Sequence, residues 1–384
     1  MSKYSMSDDA QFGSDGQARF IVFGVGGGGG NAVEHMVHQQ VTGINFVAAN
    51  TDRQALNKLT VPNKLQLGSD LTRGLGAGAN PEVGREAAES DEEEIRALLS
   101  DYDMVFITAG MGGGTGTGAA PVIARIAKEK GILTVAVVTT PFKFEGGKRA
   151  KLAQEGIEQL SQYVDSIITV PNEKLLQVYR GLTMKDAFAK ANDVLLQAVD
   201  GITRTIREPG VINIDFNDVH TAMTAKGHAM MGIGRASGEG RAAAAAEKAI
   251  RSPLLDDLLL KNAQGVIINI VGANIGMSEP AEVAEVVGRI ANIDEGNIFY
   301  GAVDDESMGD DIYVTVIATG LTVDESPKVQ PANPQAAPAG HTAAISSQGA
   351  PQAAAPQSQS PTRPVVKPLS VGSFLNERKS TITD

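Results

Sequence analysis

The chain has 384 residues, 42% of them hydrophobic, a formal net charge of −12 and no cysteine. That length asks for two domains, or one large domain with extensions, and the apolar fraction is enough for a full core. The negative balance argues against general affinity for nucleic acid or anionic lipid, and the absence of thiols excludes disulfides and thiolate metal sites, in keeping with a reducing cytosol.

Residues 1–17 are polar, expected to be disordered, and lack the apolar core of a signal peptide. From about Ala18 to about Val178, apolar runs alternate with helical patterns: Arg19–Val25, Gly43–Ala49, Lys64–Leu67, Asp103–Ala109, Ile132–Thr139 and Ser166–Val170. This rhythm predicts a mostly parallel sheet with helices on both faces, whose ligands bind at the carboxyl ends of the strands. From Thr183 to about Ile206, apolar residues recur three or four apart, so the segment reads as one long helix. At 1.5 Å per residue it would run about 36 Å, and Pro209-Gly210 would stop it. Val211 to Leu321 reads as a second α/β unit, with strands at Val266–Val271 and Ile312–Ala318 flanking a helix at Pro280–Ala291. Beyond Thr322, Pro, Ala, Gln, Ser and Gly dominate, the composition of a disordered tether. Apolar and basic residues return at Pro368–Lys379, the pattern of a peptide docked by partners. No apolar run approaches the roughly 20 residues that span a bilayer.

The densest chemical signal is Gly112-Gly113-Gly114-Thr115-Gly116-Thr117-Gly118, between a predicted strand and a predicted helix. A turn needing positive φ takes one or two glycines, whereas this cluster bares the backbone of the whole loop. Strand, glycine loop and helix N-terminus present N–H groups and a helix dipole to a phosphate, and the threonines add hydroxyls. No Lys follows a terminal Gly, so this is not the Lys-bearing phosphate loop. A second loop, Gly24–Asn31, follows the first strand and opens a helix at about Asn31; it satisfies G-x-G-x-x-G through Gly24, Gly26 and Gly29, with Asp52 further on. Alone it would suggest an NAD-linked oxidoreductase, but two glycine loops over one nucleotide imply contacts to several phosphates.

Three further pairs look chemical. Glu145 and Arg149 are four apart and, on a helix, share a face that suits ribose hydroxyls and a phosphate; a solvated ion pair is the commoner outcome of such spacing. Phe188 and Asn192, also four apart, offer a ring to stack on a base and an amide to read its edge, or simply a core Phe beside a surface Asn. Asn213-Ile214-Asp215-Phe216-Asn217-Asp218 carries two carboxylates at a strand-to-helix junction, spaced to orient a water near Mg²⁺, with Asp218 placed to cap a helix Val219–Ala225. They lie far along the chain from the glycine loops, which leaves open that they serve another copy.

Taken together, Gly110–Gly118, Gly24–Asn31, Asn50-Thr51-Asp52, Gly74–Pro81, Glu145 to Arg149 and Asn213-x-Asp215-Phe216-x-Asp218 resemble the tubulin/FtsZ family of GTPases over about Arg19 to Leu321. The resemblance implies an α/β fold: a Rossmann-like parallel-sheet GTPase domain joined by a long central helix to a smaller α/β domain, with a disordered C-terminal tail. The expected boundaries are 18–182, 183–208 and 209–321 for these parts, then a linker at 322–367 and a partner-binding peptide at 368–384.

The resemblance implies hydrolysis of GTP to GDP and phosphate with Mg²⁺ held mainly through the phosphates; it leaves a monovalent cation open and implies no metal bound by the protein itself. Carried over residue by residue, Gly27, Gly28, Gly29, Gly30, Asn31, Gly112, Gly113, Gly114, Thr115, Gly116 and Thr117 hold phosphates. Gly76, Ala77 and Gly78 line the γ-phosphate side, and Asn50 joins the nucleotide contacts. Glu145 and Arg149 take the ribose and nucleotide, while Asn172, Phe188 and Asn192 take the guanine. Asn213, Asp215 and Asp218 would be catalytic in the neighbouring subunit's site.

The implied partners are the chain itself, as a head-to-tail homopolymer at the midcell division ring of the cytoplasm, and division adaptors and regulators through 368–384. Membrane contact would be indirect and nucleic acid no partner. The terminal peptide keeps Phe374-Leu375 and basic residues but lacks the family's usual Asp-Ile-Pro core, which points to altered adaptor choice or affinity. Two other readings remain at this point, a dinucleotide oxidoreductase on Gly24–Gly29 and Asp52, and a nucleotide-bound scaffold without turnover.

Overall fold

Apolar runs that alternate between two covered faces dictate the central strands. In the computed structural model, which describes residues 4–5, 17–179, 181–208, 210–225, 227–255, 263–291 and 298–321, Phe20–Val25 is buried throughout. Phe20 and Val22 enter one apolar cluster while Ile21, Phe23 and Val25 enter another. Met104 and Phe106 against Val105, Ile107 and Ala109 divide the same way, the period of two that a strand covered on both faces requires.

The strands, in chain order, are β1 (Tyr4–Ser5), β2 (Phe20–Val25), β3 (Asn45–Asn50), β4 (Asn63–Gln66), β5 (Met104–Gly110), β6 (Leu133–Thr140), β7 (Ser166–Pro171), β8 (Gly227–Ser237), β9 (Gly265–Gly272), β10 (Ile298–Asp304) and β11 (Asp311–Leu321). Among the described residues they form one sheet, ordered β1-β4-β3-β2-β5-β6-β7-β8-β11-β9-β10. From β4 to β8 every pairing is parallel, so those carboxyl ends open on one side. β11 runs antiparallel to both β8 and β9.

The helices are α1 (Gly26–His38), α2 (Arg53–Lys58), α3 (Ser69–Thr72), α4 (Pro81–Ser90), α5 (Glu92–Leu98), α6 (Thr115–Glu129), α7 (Gly147–Ser161), α8 (Asn172–Val178), α9 (Met184–Arg207), α10 (Phe216–Met223), α11 (Arg241–Ile250) and α12 (Glu279–Ala291). The predicted α/β architecture and long helix are present. Two details differ. α1 begins at Gly26 rather than at Asn31, because the glycines themselves form its first turn. β8, β10 and α11 lie outside the predicted elements.

α9 connects the halves. Thr183 accepts a hydrogen bond from the Asp186 N–H as its N-cap, and Ala191, Val194, Leu195, Ala198, Val199 and Ile202 join the cluster that also holds Phe20, Phe106, Ile267 and Ile317. One face of the helix therefore packs under both halves of the sheet. Its 24 residues cover about 36 Å, from the carboxyl ends of the parallel strands to their amino ends.

The terminal segments 1–3, 6–16 and 322–384 lie outside the described residues, as do Pro209 and the linker and docking peptide read from the sequence.

Candidate nucleotide-binding site

Two adjacent strands, β2 and β5, end beside each other and each runs into a helix. The glycines there serve two purposes. Some allow backbone to meet backbone: an added Cβ at Gly26 would lie 2.8 Å from Gly116 N, one at Gly28 would lie 3.0 Å from Gly110 N, and one at Gly29 would overlap Thr108 O. A Cβ added at Gly114 would lie 2.8 Å from Ala77 Cβ, and one at Gly112, whose φ is +93°, would lie 2.5 Å from Arg149 O. Others face open space. Gly27, Gly78 and Gly113 would put a methyl within 4 Å of nothing.

The helix ends are bare. Neither α1 nor α6 has a side-chain cap, and neither has an acidic residue in its first turn. The first N–H groups of both helices therefore have no partner within the helix, and the positive dipole ends meet no carboxylate of their own first turns. By contrast α2 is capped by Asp52, which accepts from Gln54 N (2.8 Å) and Ala55 N (3.0 Å). Asp52 is the acid on which the dinucleotide reading rested, and here its carboxylate holds a helix end.

The sequence assigned both loop threonines to phosphate. Thr117, 2% exposed, accepts the Gly112 N–H at 2.8 Å and so braces the loop from inside. Thr115, 9% exposed, shares a 2.6 Å hydrogen bond with Thr51 Oγ1. The 76–78 segment, with positive φ at Gly76 and Gly78, is tied in by Gly76 N to Thr51 O (3.3 Å), and Asn50 Oδ1 accepts from Asp52 N (3.2 Å). Asn31 is exposed one helical turn beyond Gly27, and Gly30 is buried against Leu59.

A side wall follows β6. Glu145 ends a short 3-10 turn and accepts the Phe142 N–H (2.9 Å), while Arg149 on α7 reaches back to it at 2.5 Å. The ion pair foreseen as the plain alternative does form, with the Arg149 backbone close enough to Gly112 that a side chain there would strike its carbonyl. Beside it, Phe188 is 41% exposed, so it is not a core Phe; its ring stands edge-on to buried Phe142 at 5.2 Å. Asn172, at the start of α8, is 5% exposed and its Oδ1 has no hydrogen-bond partner among the described residues. Asn192 is half-buried on the same helix as Phe188. Next to it, Asp193 accepts from Lys190 (2.8 Å) and pairs with His35 of α1 (2.7 Å), joining the base-side helix to the glycine helix; its hydrogen bond holds the Lys190 ammonium above the usual lysine range.

Asp215 and Asp218 do not join this cluster. Asp215, not Asp218, is the N-cap: its Oδ1 accepts the Asp218 N–H at 2.8 Å, and α10 starts at Phe216 instead of Val219. Both acids satisfy the cap rule in sequence, but the helix starts three residues earlier, where among the described residues a single bridge at Ile212 precedes it. Asn213 Oδ1 is held by Gly210 N at 2.7 Å. The Phe216 ring packs edge-on against Phe20 at 6.5 Å, at the start of β2, whereas the glycine loop follows the end of β2. Six residues of strand, about 17 Å, separate those ends. Within one chain the carboxylates and the glycine loops occupy opposite ends of the sheet.

Comparison with known proteins bears on these loops. Residues 19–180 match the family described as Tubulin/FtsZ family, GTPase domain, and residues 227–322 match the FtsZ family, C-terminal domain. The cell division protein FtsZ of Azotobacter vinelandii is 56% identical over 302 residues, covering 78% of this chain and 76% of that one. The chain belongs to the FtsZ family. The FtsZ of Wigglesworthia glossinidia brevipalpis is 53% identical over 311 residues, covering 80% and 81% of the two chains. Among solved structures, an empty FtsZ dimer from M. jannaschii superposes with a TM-score of 0.75 at 44% identity, covering 79% of this chain and 88% of that one. CetZ2 from Haloferax volcanii shares the fold at 20% identity and a TM-score of 0.70, covering 80% and 94%.

As an FtsZ-family member the chain binds GTP and hydrolyses it. Membership also decides against the dinucleotide oxidoreductase. Sequence reasoning gave no role to Thr51 and did not single out Phe142; the Asn50-Thr51-Asp52 and Pro141-Phe142 segments at strand ends were the signals available.

Proposed function

We propose that the chain is a self-assembling GTPase of cell division that stacks head to tail, each contact completing a catalytic site. The GTP site would lie at the carboxyl ends of β2 and β5. Uncapped α1 and α6 would receive the phosphates, with Gly27–Asn31 and Gly112–Thr117 as the cradle, Gly76–Gly78 beside the γ-phosphate and Asn50 behind them. Glu145 and Arg149 would take the ribose side. Phe188 would stack on the base, and Asn172 and Asn192 would read its edge; the free acceptor of Asn172 suits an N–H donor such as guanine offers.

Among the described residues no group of three or more His, Cys, Asp or Glu could hold a metal. A loop of N–H and hydroxyl groups fits a Mg²⁺ that arrives on the phosphates. Bound there, the ion would neutralise phosphate charge. The chain's own residues fix the nucleotide and keep α1 and α6 rigid through glycine contacts.

The observation that carries the in-trans reading is the separation of Asp215 and Asp218 from the glycine loops, at opposite ends of one sheet. A second chain stacked end on end would bring its carboxylates to the first chain's nucleotide, where they can orient the attacking water. In support, the M. jannaschii FtsZ relative is recorded as a dimer. The proposed setting is the midcell ring in the cytoplasm, with adaptors bound through 368–384, outside the described residues. Among the described residues no helix is long and apolar enough to cross a membrane, in keeping with indirect membrane contact.

The deciding experiment follows GTPase rate per molecule against protein concentration. The rate should rise across an assembly threshold; a flat rate per molecule sinks the in-trans idea. Mixing the Asp215→Ala protein, which should bind GTP without turnover, with a nucleotide-site variant such as Gly29→Ala should restore some hydrolysis at mixed contacts.

A further inference from the structure

Three loops that approach the nucleotide meet at one buried residue. Thr51, fully buried at the end of β3, makes a 2.6 Å hydrogen bond from Oγ1 to Thr115 Oγ1. Its carbonyl accepts from Gly76 N and from Thr72 Oγ1, both at 3.3 Å. Thr51 therefore ties the 112–118 loop and the 74–80 segment to the end of a central strand.

Geometry alone allows either hydroxyl to donate, but burial separates them. A buried hydroxyl hydrogen needs an acceptor, and Thr115 Oγ1 is the acceptor in reach of the Thr51 hydroxyl. Thr115, in the uncapped first turn of α6, is the less buried member of the pair, 9% exposed where Thr51 is fully buried. With Thr51 donating, the Thr115 oxygen is an acceptor and its own hydrogen is left to point outward. A hydroxyl that already accepts a hydrogen bond is a stronger donor.

We propose that Thr51 is a positioning residue for GTP hydrolysis: its hydroxyl donates to Thr115, fixing and polarising the Thr115 hydroxyl as a donor to the terminal phosphate. This rests on the GTP site proposed above. The role is selective, because GDP lacks the γ-phosphate that Gly76–Gly78 and Thr115 would face. Loss of the Thr51 hydroxyl should therefore weaken triphosphate recognition and turnover while leaving diphosphate binding alone.

The test compares Thr51→Val, which keeps the side-chain shape, with Thr51→Ser, which keeps the hydroxyl. Affinities for GDP and for a non-hydrolysable GTP analogue are measured by calorimetry below the assembly threshold, and phosphate release above it. Thr51→Val should lose about tenfold in analogue affinity and in kcat, one hydrogen bond's worth near a charged group, with GDP affinity within about twofold. Thr51→Ser should recover both. Thr115→Val should match Thr51→Val, and the double variant should be no worse than either. Equal losses for GDP and the analogue would mean a purely structural role and overturn the proposal, as would additive losses in the double variant or wild-type behaviour of Thr51→Val. If Thr51→Val does not fold, the Thr115→Val and Thr51→Ser pair still decides it. Wild-type protein that bound neither nucleotide would instead refute the site itself.

Discussion

Helices α1 and α6 begin bare, and α10 begins filled. α1 opens on glycines and α6 follows Gly114, with no side-chain cap and no acid in the first turn of either, which suits their dipole ends to a ligand's charge. α10 opens on Asp215, whose carboxylate caps it, with Asp218 in the first turn, so it brings negative charge of its own. The same helix dipole would thus serve, in the proposed site, as a receptor for an anion at one end of the sheet, and it is a mount for carboxylates at the other. One end lacks what the other end carries.

The sharpest way to break this comparison is a methyl at a glycine whose space is already taken. Gly29→Ala would overlap Thr108 O and force α1 away from β5, so nucleotide binding should be lost and stability should fall by about 1–3 kcal/mol, measured by calorimetry and by urea titration. Undiminished binding would mean that the contact does not set the loop. Next comes Asp215→Asn, which keeps a good cap but removes the charge. Turnover should drop by about a hundredfold, with GTP affinity and melting temperature close to wild type. A fall in stability without a fall in rate would reduce Asp215 to a cap.

Gly27→Ala is the counterpart of Gly29→Ala. Its methyl meets nothing in the chain, and alanine favours the helix, so stability should rise by about 0.5–1 kcal/mol while GTP affinity weakens. Opposite signs in the two assays would separate glycines needed by the fold from glycines needed by the ligand. The smallest effect concerns a carboxylate that, unlike Asp215, sits at no helix N-terminus. Burial pushes Asp200 above the usual aspartate range despite nearby Arg204 and Arg207. The folded chain therefore holds that proton more tightly than the unfolded one, and wild-type stability declines as pH rises from the unfolded value near 4 through the raised folded value. Asp200→Asn should melt higher than wild type at pH 7, and the gain should shrink as the pH is lowered toward 4.

Much of this layout can be read from the residues. β2 and β5 are continuous apolar runs of strand length, α9 has a long three-and-four repeat, and the two glycine clusters fall where parallel strands must end. The missing parts have physical causes. Gly26–Gly30 reads as a loop because glycine is a poor helix former; the close fit of Gly24, Gly29 and Thr108 overrides that preference. β8 breaks strand alternation with Gly232 and Gly234, whose absent side chains make room for the α11 backbone at Ala249 and Ala245. No local rule chooses Asp215 over Asp218 as the cap. The Thr51–Thr115 bond joins residues 64 apart, and the Phe142 ring meets Phe188 from another element, so sequence spacing carries neither.

The parallel strands and α9 all point along one axis, which gives any end-to-end stack an arrow. At one tip of the proposed stack, a nucleotide would have no carboxylates above it; at the other, Asp215 and Asp218 would face solvent. A stack of the proposed kind would therefore hold one fewer complete site than it has subunits. Its last nucleotide would be sheltered from turnover for as long as no further subunit arrives, so growth and hydrolysis at that tip would be two outcomes of the same arrival.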